Sequence, residues 1–298
     1  MKKHRPYSIF SMKYKLFSVF ALASCCMFLF LQTEYFDKIL IEDDYEFYIY
    51  TDSSYEDVKK HIGSLCSELS PVAKLGFNMF LKQKRLEYWF DPGRYVLHQS
   101  FSLNDIINKL RSQSQDPINF TFKSMDHIPP LIGMAAQKLE LDSIELVHYL
   151  DSIDLSLDSL YFLLIPNTYE MFCNVSPKEF IDRIYFEYNA FWNSDRLQAA
   201  RTLNLSKNEV FVLASILDKE ASHFDEMPRI AGLYLNRLQQ GWFLAADPTV
   251  IYAYKKVFNS PIRRVRNKHI DMTRSSPFNT YYHKGLPPLP ICIPSFQS

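Results

Sequence analysis

Residues 206–220 read SKNEVFVLASILDKE, and they carry the clearest helix signal in the chain. Ser206 is followed three residues later by Glu209, the pattern of a capping box in which each side chain satisfies a backbone N–H of the first helical turn. The apolar run that follows contains neither proline nor glycine. The stretch therefore predicts a helix over residues 206–222 with a well-defined start.

Two acidic side chains near the end of this predicted helix lie on different faces. At 100° per residue, Glu220 continues the apolar stripe formed by Ile216 and Leu217. Asp218 lies on the opposite face, together with Phe211. The two carboxylates are therefore expected in different surroundings.

The position of Glu220 indicates a possible general acid. A carboxylate on an apolar face loses hydration, which raises its pKa. A general acid that works near neutral pH needs such a raised pKa. The alternative is that Glu220, close to the helix end, turns into water or pairs with Arg229 or Arg237.

Three polar segments follow this helix. Pro228 and Gly241 bracket a predicted helix over residues 228–240, Asp247 is expected to cap a short helix through Tyr252, and residues 276–281 read SPFNTY. Tyrosines and amides in such loops line sugar-binding clefts, although ordinary turns have the same composition. The candidate substrate-binding residues in these segments are Asn236, Arg237, Asp247, Thr249, Tyr252, Ser276, Asn279, Thr280 and Tyr281.

Six sequence blocks resemble the endolytic murein transglycosylase family, also called YceG-like. They are LIPNTY (164–169), LASILDKEA (213–221), AGLYLNRL (231–238), DPTVIY (247–252), SPFNTY (276–281) and KGLPP (284–288). The blocks occur in the order typical of that family. Asp218 departs from the pattern, since the family often has Glu there, and Asn167 stands where Asp is usual.

This resemblance implies an activity and a site. Family members cut glycan strands of peptidoglycan between N-acetylmuramic acid and N-acetylglucosamine and leave 1,6-anhydro ends without consuming water. The resemblance places the single catalytic carboxylate at Glu220 and adds Tyr169 to the candidate substrate contacts. It implies no cofactor and no metal, and it suggests peptidoglycan synthases as partners. The family continues for several tens of residues past the position of Ser298, so we expect an incomplete catalytic domain.

The charge distribution predicts a membrane anchor. The 298 residues carry 33 basic and 33 acidic side chains, which excludes a generally basic nucleic-acid-binding protein. Residues 1–15 contain five basic residues and no acidic residue, and residues 16–33 carry no charge. We expect a cytoplasmic tail (1–15), a single transmembrane helix (16–33) and an extracytoplasmic body at the bacterial cytoplasmic membrane. A cleaved signal peptide and a lipoprotein box at residues 22–25 are the alternatives.

The predicted fold class is α+β. After a linker (34–44), we expect a small β/α subdomain (45–124), LysM-like by the family resemblance, and a helix-rich catalytic domain with short strands (125–298). In the first, the predicted elements are strands at 47–50, 86–90, 94–97 and 118–122 and a helix over 54–69, capped by Asp52 or Ser53. Further helices are expected from Pro71 to about residue 84 and from Ser102. In the second, helices are expected at 127–139, 142–151 and 177–193.

Other functions remain open from the residues alone. Glu145-x-x-His148 and Glu220-x-x-His223 are the kind of pair that a di-iron helical bundle uses, although the proline spacing disfavours its long helices. A non-catalytic peptidoglycan-binding or scaffold protein would use the same cleft without turnover.

A conventional hydrolase would need a second carboxylate, for which Asp225 or Glu226 are the candidates.

The remaining signals are weaker. Cys66, Cys173 and Cys292 lack metal-ligand spacing and are expected to be buried thiols. A cluster of six basic residues is expected to lie in a solvated loop, and contact with peptide carboxylates or an anionic polymer is the alternative. The cluster consists of Lys255, Lys256, Arg263, Arg264, Arg266 and Lys268.

Overall fold

The computed structural model describes residues 17–24, 41, 43–66 and 71–298. Within these, the chain is mostly helical with two short two-stranded sheets, which confirms the α+β class. Residues 17–24 are helical and are labelled α1. The rest of the predicted span 16–33 and the tail 1–15 lie outside the described residues. Within the described part of the chain, no helix is long and apolar enough to cross a membrane.

The chain divides into two compact units. The first comprises residues up to Ile118 together with Phe172–Asn174, and the second comprises Asn119–Met171 and Val175–Ser298. The division predicted at residue 124 from the sequence remains a prediction.

The first unit is built around one antiparallel strand pair and three helices. Its elements are β1 (Tyr45–Ile49), α2 (Tyr55–Leu65), α3 (Pro71–Gln83), a 3-10 turn (Leu86–Tyr88), β2 (Gly93–Leu97) and α4 (Leu103–Arg111). β1 pairs with β2 so that Tyr45 lies opposite Leu97. Alternate strand residues such as Phe47 and Tyr95 are buried with Ile62 and Ile106 from the helices. Period-2 strands and amphipathic helices thus share one apolar core.

Two local predictions in this unit are wrong. Helix α2 is capped by Ser54 in a capping box with Asp57, not by Asp52 or Ser53. The predicted strand 86–90 is instead a 3-10 turn, entered through Arg85 in the left-handed conformation (φ 54°). The left-handed Arg85 turns the chain, and Leu86–Tyr88 follow it in 3-10 geometry. Leu86 is nevertheless fully buried.

The second unit is mainly helical. Its elements are β3 (Ile118–Thr121), α5 (Pro129–Lys138), α6 (Ser143–Ser152), α7 (Leu157–Leu163), β4 (Thr168–Met171), α8 (Pro177–Phe191), α9 (Ser194–Thr202), α10 (Lys207–Glu220), a 3-10 turn (Phe224–Glu226), α11 (Met227–Gln239), α12 (Asp247–Phe258) and α13 (Asn267–Met272). β3 and β4 form the second sheet. The predicted helices at 127–139, 142–151, 177–193 and 228–240 are confirmed within about two residues. Helices α7, α9 and α13 and strand β4 were not predicted.

Helix α10 lies at the centre of this unit. The predicted capping box is present, with Ser206 accepting from the Glu209 N–H and Glu209 accepting from the Ser206 N–H. Apolar residues are buried on several faces of the helix, including Phe211 on the face of Asp218 as well as Ile216 on the opposite one. The helix ends at Glu220, so His223 lies outside it and the Glu220-x-x-His223 pair is not helical.

Candidate active site

The C-terminal segment fixes the end of α10 through its polar groups. The hydroxyl of Ser215 accepts the N–H of Ile291 at 3.0 Å. The carboxylate of Asp218 accepts the Ser124 hydroxyl at 2.8 Å and the Ser295 N–H at 2.9 Å. Asp218 therefore connects the helix to two other segments of the unit, which is a structural task.

The carboxylate of Glu220 has different neighbours. Glu220 is exposed as a residue, and the hydroxyl of the buried Tyr234 on α11 acts on its carboxylate. Partial desolvation raises its pKa, and the negative charge of Asp247 raises it further. The Tyr234 hydrogen bond and the charge of Arg237 act in the opposite direction. The net result is a raised pKa, which favours the protonated acid.

Helix α11 contributes Tyr234 and Arg237, which lie three residues apart on one face. The helix ends in a Schellman motif: the Trp242 N–H bonds the Arg237 carbonyl at 2.8 Å, and Gly241 takes a left-handed φ of 62°. A guanidinium N–H of Arg237 donates to the Leu244 carbonyl, so the loop after the helix holds this side chain in place. Arg237 thus brings a fixed positive charge to the Glu220 carboxylate.

Helix α12 contributes the second carboxylate. Asp247 was predicted to cap this helix, but it is the first helical residue, the cap is Ala246, and no side chain caps the helix. The carboxylate of Asp247 instead accepts the hydroxyl of Tyr281 at 2.7 Å. Desolvation, Asp247 and Glu220 raise the pKa of Tyr281 to about 12, so its phenol stays protonated and donates.

Buried threonines hold the start of α12 against the 276–281 loop. The Thr249 and Thr280 hydroxyl oxygens are 2.8 Å apart, and Thr280 accepts the Ala246 N–H at 3.0 Å. Thr249 also donates to the Ala246 carbonyl at 2.7 Å. Both threonines were predicted to contact substrate. Both are buried and bonded to backbone, so they hold the start of the helix that carries Asp247, and their contact with substrate stays a prediction.

The rest of the 276–281 loop is likewise held from within. Asn279 is fully buried and donates to the Ile270 carbonyl at 2.8 Å and the Thr273 hydroxyl at 2.9 Å. Ser276 is buried, and the ring of Tyr252 packs on Phe278 with centroids 4.7 Å apart. These contacts give the loop its shape, and the substrate contact predicted for Asn279 and Ser276 stays a prediction.

Tyr169 lies away from this cluster of contacts. It is fully buried, stacks on Phe122 at 5.3 Å between centroids, and donates its hydroxyl to the Ile165 carbonyl. Tyr169 therefore belongs to the core of the unit, and its predicted contact with substrate stays a prediction. Asn236, by contrast, is exposed on α11.

The structure therefore brings four predicted residues together: Glu220, Arg237, Asp247 and Tyr281. Tyr234 was not predicted as a site residue, because a tyrosine on the buried face of a helix gives no functional signal by spacing alone. Of the proposed second acids, Glu226 accepts the Ser222 N–H at 3.3 Å, whereas the carboxylate whose charge acts on Glu220 is Asp247. In the part of the chain that the structure describes, no three His, Cys, Asp or Glu side chains form a group that would hold a metal ion.

The profile of the YceG-like family matches residues 47–298, which is most of the chain and contains every residue of this site. The chain belongs to the YceG-like family. The predicted family resemblance is thereby confirmed.

Two curated relatives carry the name endolytic murein transglycosylase. The one from Streptococcus pneumoniae is 32% identical over 98 residues, 33% of this chain, and the one from Bacillus subtilis is 33% identical over 94 residues, 32% of this chain. The matched segments span 18% and 24% of the length of these relatives. A crystal structure of a YceG-like protein from Listeria monocytogenes matches with a TM-score of 0.46 and 19% identity, over 84% of this chain and 86% of that one.

Proposed function

We propose that this YceG-like chain is a lytic transglycosylase that cleaves the N-acetylmuramic acid–N-acetylglucosamine β-1,4 bond within peptidoglycan strands. The observation that carries this proposal is Glu220, which lies within the region matched by the family and is, among the residues that the structure describes, the carboxylic acid whose pKa is raised. The name of the two curated relatives supports the same substrate class.

The proposed reaction uses Glu220 twice. Its protonated carboxyl first gives a proton to the glycosidic oxygen, and the bond from that oxygen to C1 of the muramyl residue breaks. The resulting carboxylate then takes the proton of the muramyl 6-hydroxyl as that oxygen bonds to C1. The products are a free hydroxyl on one strand and a 1,6-anhydro end on the other, and Glu220 is again protonated.

The neighbours of Glu220 fit this cycle. The charge of Asp247 favours the protonated acid at the start, whereas Tyr234 and Arg237 stabilise the carboxylate that forms on proton transfer. A group that must be acid and then base benefits from having both influences close by. Asp247 would also stabilise positive charge that develops at C1 during cleavage.

The proposal extends to location and partners. The basic tail and uncharged residues 16–33 support a single-pass anchor in the bacterial cytoplasmic membrane, with the N-terminus cytoplasmic and the second unit facing the cell wall. At that position the enzyme would terminate nascent glycan strands beside the peptidoglycan synthases.

The presence of Asp247 also supports a second candidate, a hydrolase with two carboxylates. In that reaction Glu220 would be the acid, and Asp247 would activate water or act as nucleophile. The non-catalytic binding protein is the third candidate, and it needs neither group.

Mass spectrometry of digested peptidoglycan separates these candidates. The full chain in detergent should release fragments with 1,6-anhydro ends, and the Glu220→Gln variant should bind the polymer and release none. Reducing ends in place of anhydro ends would replace the proposal by the hydrolase. Binding without any fragments from the wild-type chain would replace it by the binding protein.

A further inference from the structure

A pocket of about 160 Å³ opens on the second unit, and helices α10 and α12 contribute to its lining. Its polar wall contains Asp126, His127, Lys219 and Lys255. Its apolar wall is formed by Pro248, Ile251, Tyr252 and Ile291. Neither the proposed cleavage reaction nor the sequence motifs give these four polar groups a role together.

The polar wall carries an excess of positive charge. Lys219 Nζ lies 3.0 Å from Asp126 Oδ1, so this ammonium is paired with a carboxylate. Lys255 Nζ lies 2.7 Å from His127 Nε2. Burial and the nearby Lys255 lower the pKa of His127, so its ring is neutral at pH 7. The neutral ring accepts a hydrogen bond from Lys255 and does not compensate the charge of that ammonium. Among the lining residues, two ammonium groups face one carboxylate; the further charge of Asp218 acts on Lys219, which leaves Lys255 as the ammonium paired only with a neutral ring.

The apolar wall restricts which anion fits. A small inorganic anion would lose hydration against Ile251 and Ile291 and gain only one charged contact there. A carboxylate carried on a short aliphatic group would place its charge at Lys255 and its methyl or methylene groups against these side chains. The combination of wall types thus favours an organic carboxylate over phosphate.

The pocket adjoins the proposed reaction centre through the chain itself. Lys219 directly precedes Glu220 on α10, and Pro248 directly follows Asp247 on α12. Consecutive Cα atoms are about 3.8 Å apart. Helices α10 and α12 therefore carry the Glu220 and Asp247 carboxylates and, at the neighbouring residues, part of the pocket lining.

We propose that this pocket binds the terminal carboxylate of a short aliphatic peptide, with Lys255 as its charged contact. Peptidoglycan carries such peptides on its muramyl residues, so the pocket would hold the peptide branch of the strand that Glu220 cleaves. This identification of the ligand rests on the proposed function, whereas the binding chemistry does not.

Isothermal titration of the full chain in detergent micelles tests the pocket with three probes: N-acetylalanine, its primary amide, and inorganic phosphate. N-acetylalanine should bind, and both the neutral amide and phosphate should bind at least about tenfold more weakly. Lys255→Gln should weaken N-acetylalanine binding by about tenfold or more. Lys256→Gln is the matched control, because Lys256 lies over the Phe278 ring and does not line the pocket.

A second variant separates loss of the pocket from loss of the fold. Ile251→Trp should fill the pocket and abolish N-acetylalanine binding while both lysines remain. Equal binding of acid and amide, equal loss in the two lysine variants, or unchanged binding in Ile251→Trp would each overturn the proposal. Absence of binding together with normal anhydro-fragment release overturns the pocket alone, and binding without fragment release overturns the proposed function alone.

Discussion

Asp218 and Glu220 lie two residues apart near the end of α10, and their surroundings differ sharply. Asp218 accepts hydrogen bonds from Ser124 and from the Ser295 backbone, which tie together three segments of the second unit. The pKa of Glu220 is raised by desolvation and by the negative charge of Asp247, and the Tyr234 hydroxyl acts in the opposite direction. The same chemical group thus serves architecture at one position and is poised for proton transfer at the other.

This comparison shows that contacts, more than helix face, decide the behaviour of a carboxylate. Both faces of α10 are packed, since Phe211 on the side of Asp218 is buried as well as Ile216 on the side of Glu220. The apolar stripe therefore does not distinguish the two acids. The difference comes from donors that satisfy Asp218 and from the negative charge of Asp247 beside Glu220.

The largest expected effect contrasts the two acids directly. Glu220→Gln should lower the rate of fragment release by at least about 100-fold, because the amide neither donates nor takes the proton. Its melting temperature should stay close to that of the wild type, because the amide oxygen of the variant can take the place of the carboxylate oxygen beside the Tyr234 hydroxyl. The measurement is initial release of soluble fragments from purified peptidoglycan.

Asp218→Asn is the matched variant of that experiment. It should retain activity within about threefold and lose about 1 kcal/mol of stability, since an amide oxygen accepts hydrogen bonds less strongly than a carboxylate. A variant as inactive as Glu220→Gln, yet fully folded, would erase the proposed difference between the two acids.

The second prediction concerns the buried threonine pair that holds Asp247 in place. Thr280→Val leaves the Ala246 N–H and the Thr249 hydroxyl without the oxygen they now bond, which should cost about 2 kcal/mol of unfolding free energy. Urea denaturation measures this loss. The exposed Ser275→Ala should change stability by less than about 0.5 kcal/mol, and equal losses in both would contradict the role of the pair.

The third prediction concerns the effect of the Asp247 charge on the pKa of Glu220. Asp247 raises the pKa of Glu220, so Asp247→Asn should lower it. The acid must be protonated at the start, so kcat/KM falls as pH rises through that pKa. In the variant this fall should therefore begin at lower pH, with about a tenfold loss of activity near neutrality. If kcat/KM of the variant instead falls at unchanged or higher pH, Asp247 does not raise the pKa of Glu220.

The smallest effect is expected at the start of the helix, far from either acid. Ser206→Ala removes the side-chain acceptor of the capping box and should cost about 1 kcal/mol of stability. Fragment release per folded molecule should stay unchanged. A selective loss of activity without a change in the melting curve would mean that the cap influences the site through α10.

Local features of the fold were predictable because neighbouring residues determine them. The Ser206–Glu209 capping box and the glycine after α11 both follow from short-range hydrogen bonds. The 3-10 turn at Leu86 was not predictable, because its apolar residues fit a strand equally well and only the left-handed Arg85 redirects them. Helix α9, with few apolar residues, gave little periodic signal.

The candidate site was predictable only in part. Glu220 stood out through its position on the helix and its family block, and the structure adds the neighbours that alter its pKa. Asp247 lies on another helix, so no sequence spacing indicates that its charge acts on Glu220. The buried roles of Tyr169 and Thr280 were missed because polar side chains that hold backbone look the same in sequence as those that hold a ligand.

The most direct test of the account is the titration of Glu220 itself. Carbon-detected NMR of the side-chain carboxyl in the full chain, assigned by comparison with Glu220→Gln, should give a pKa above the 4.5 of an ordinary glutamate. The Asp247→Asn variant should lower that pKa. A Glu220 pKa at or below 4.5, unmoved by removal of Asp247, would contradict the proposal that this carboxyl is poised to donate a proton.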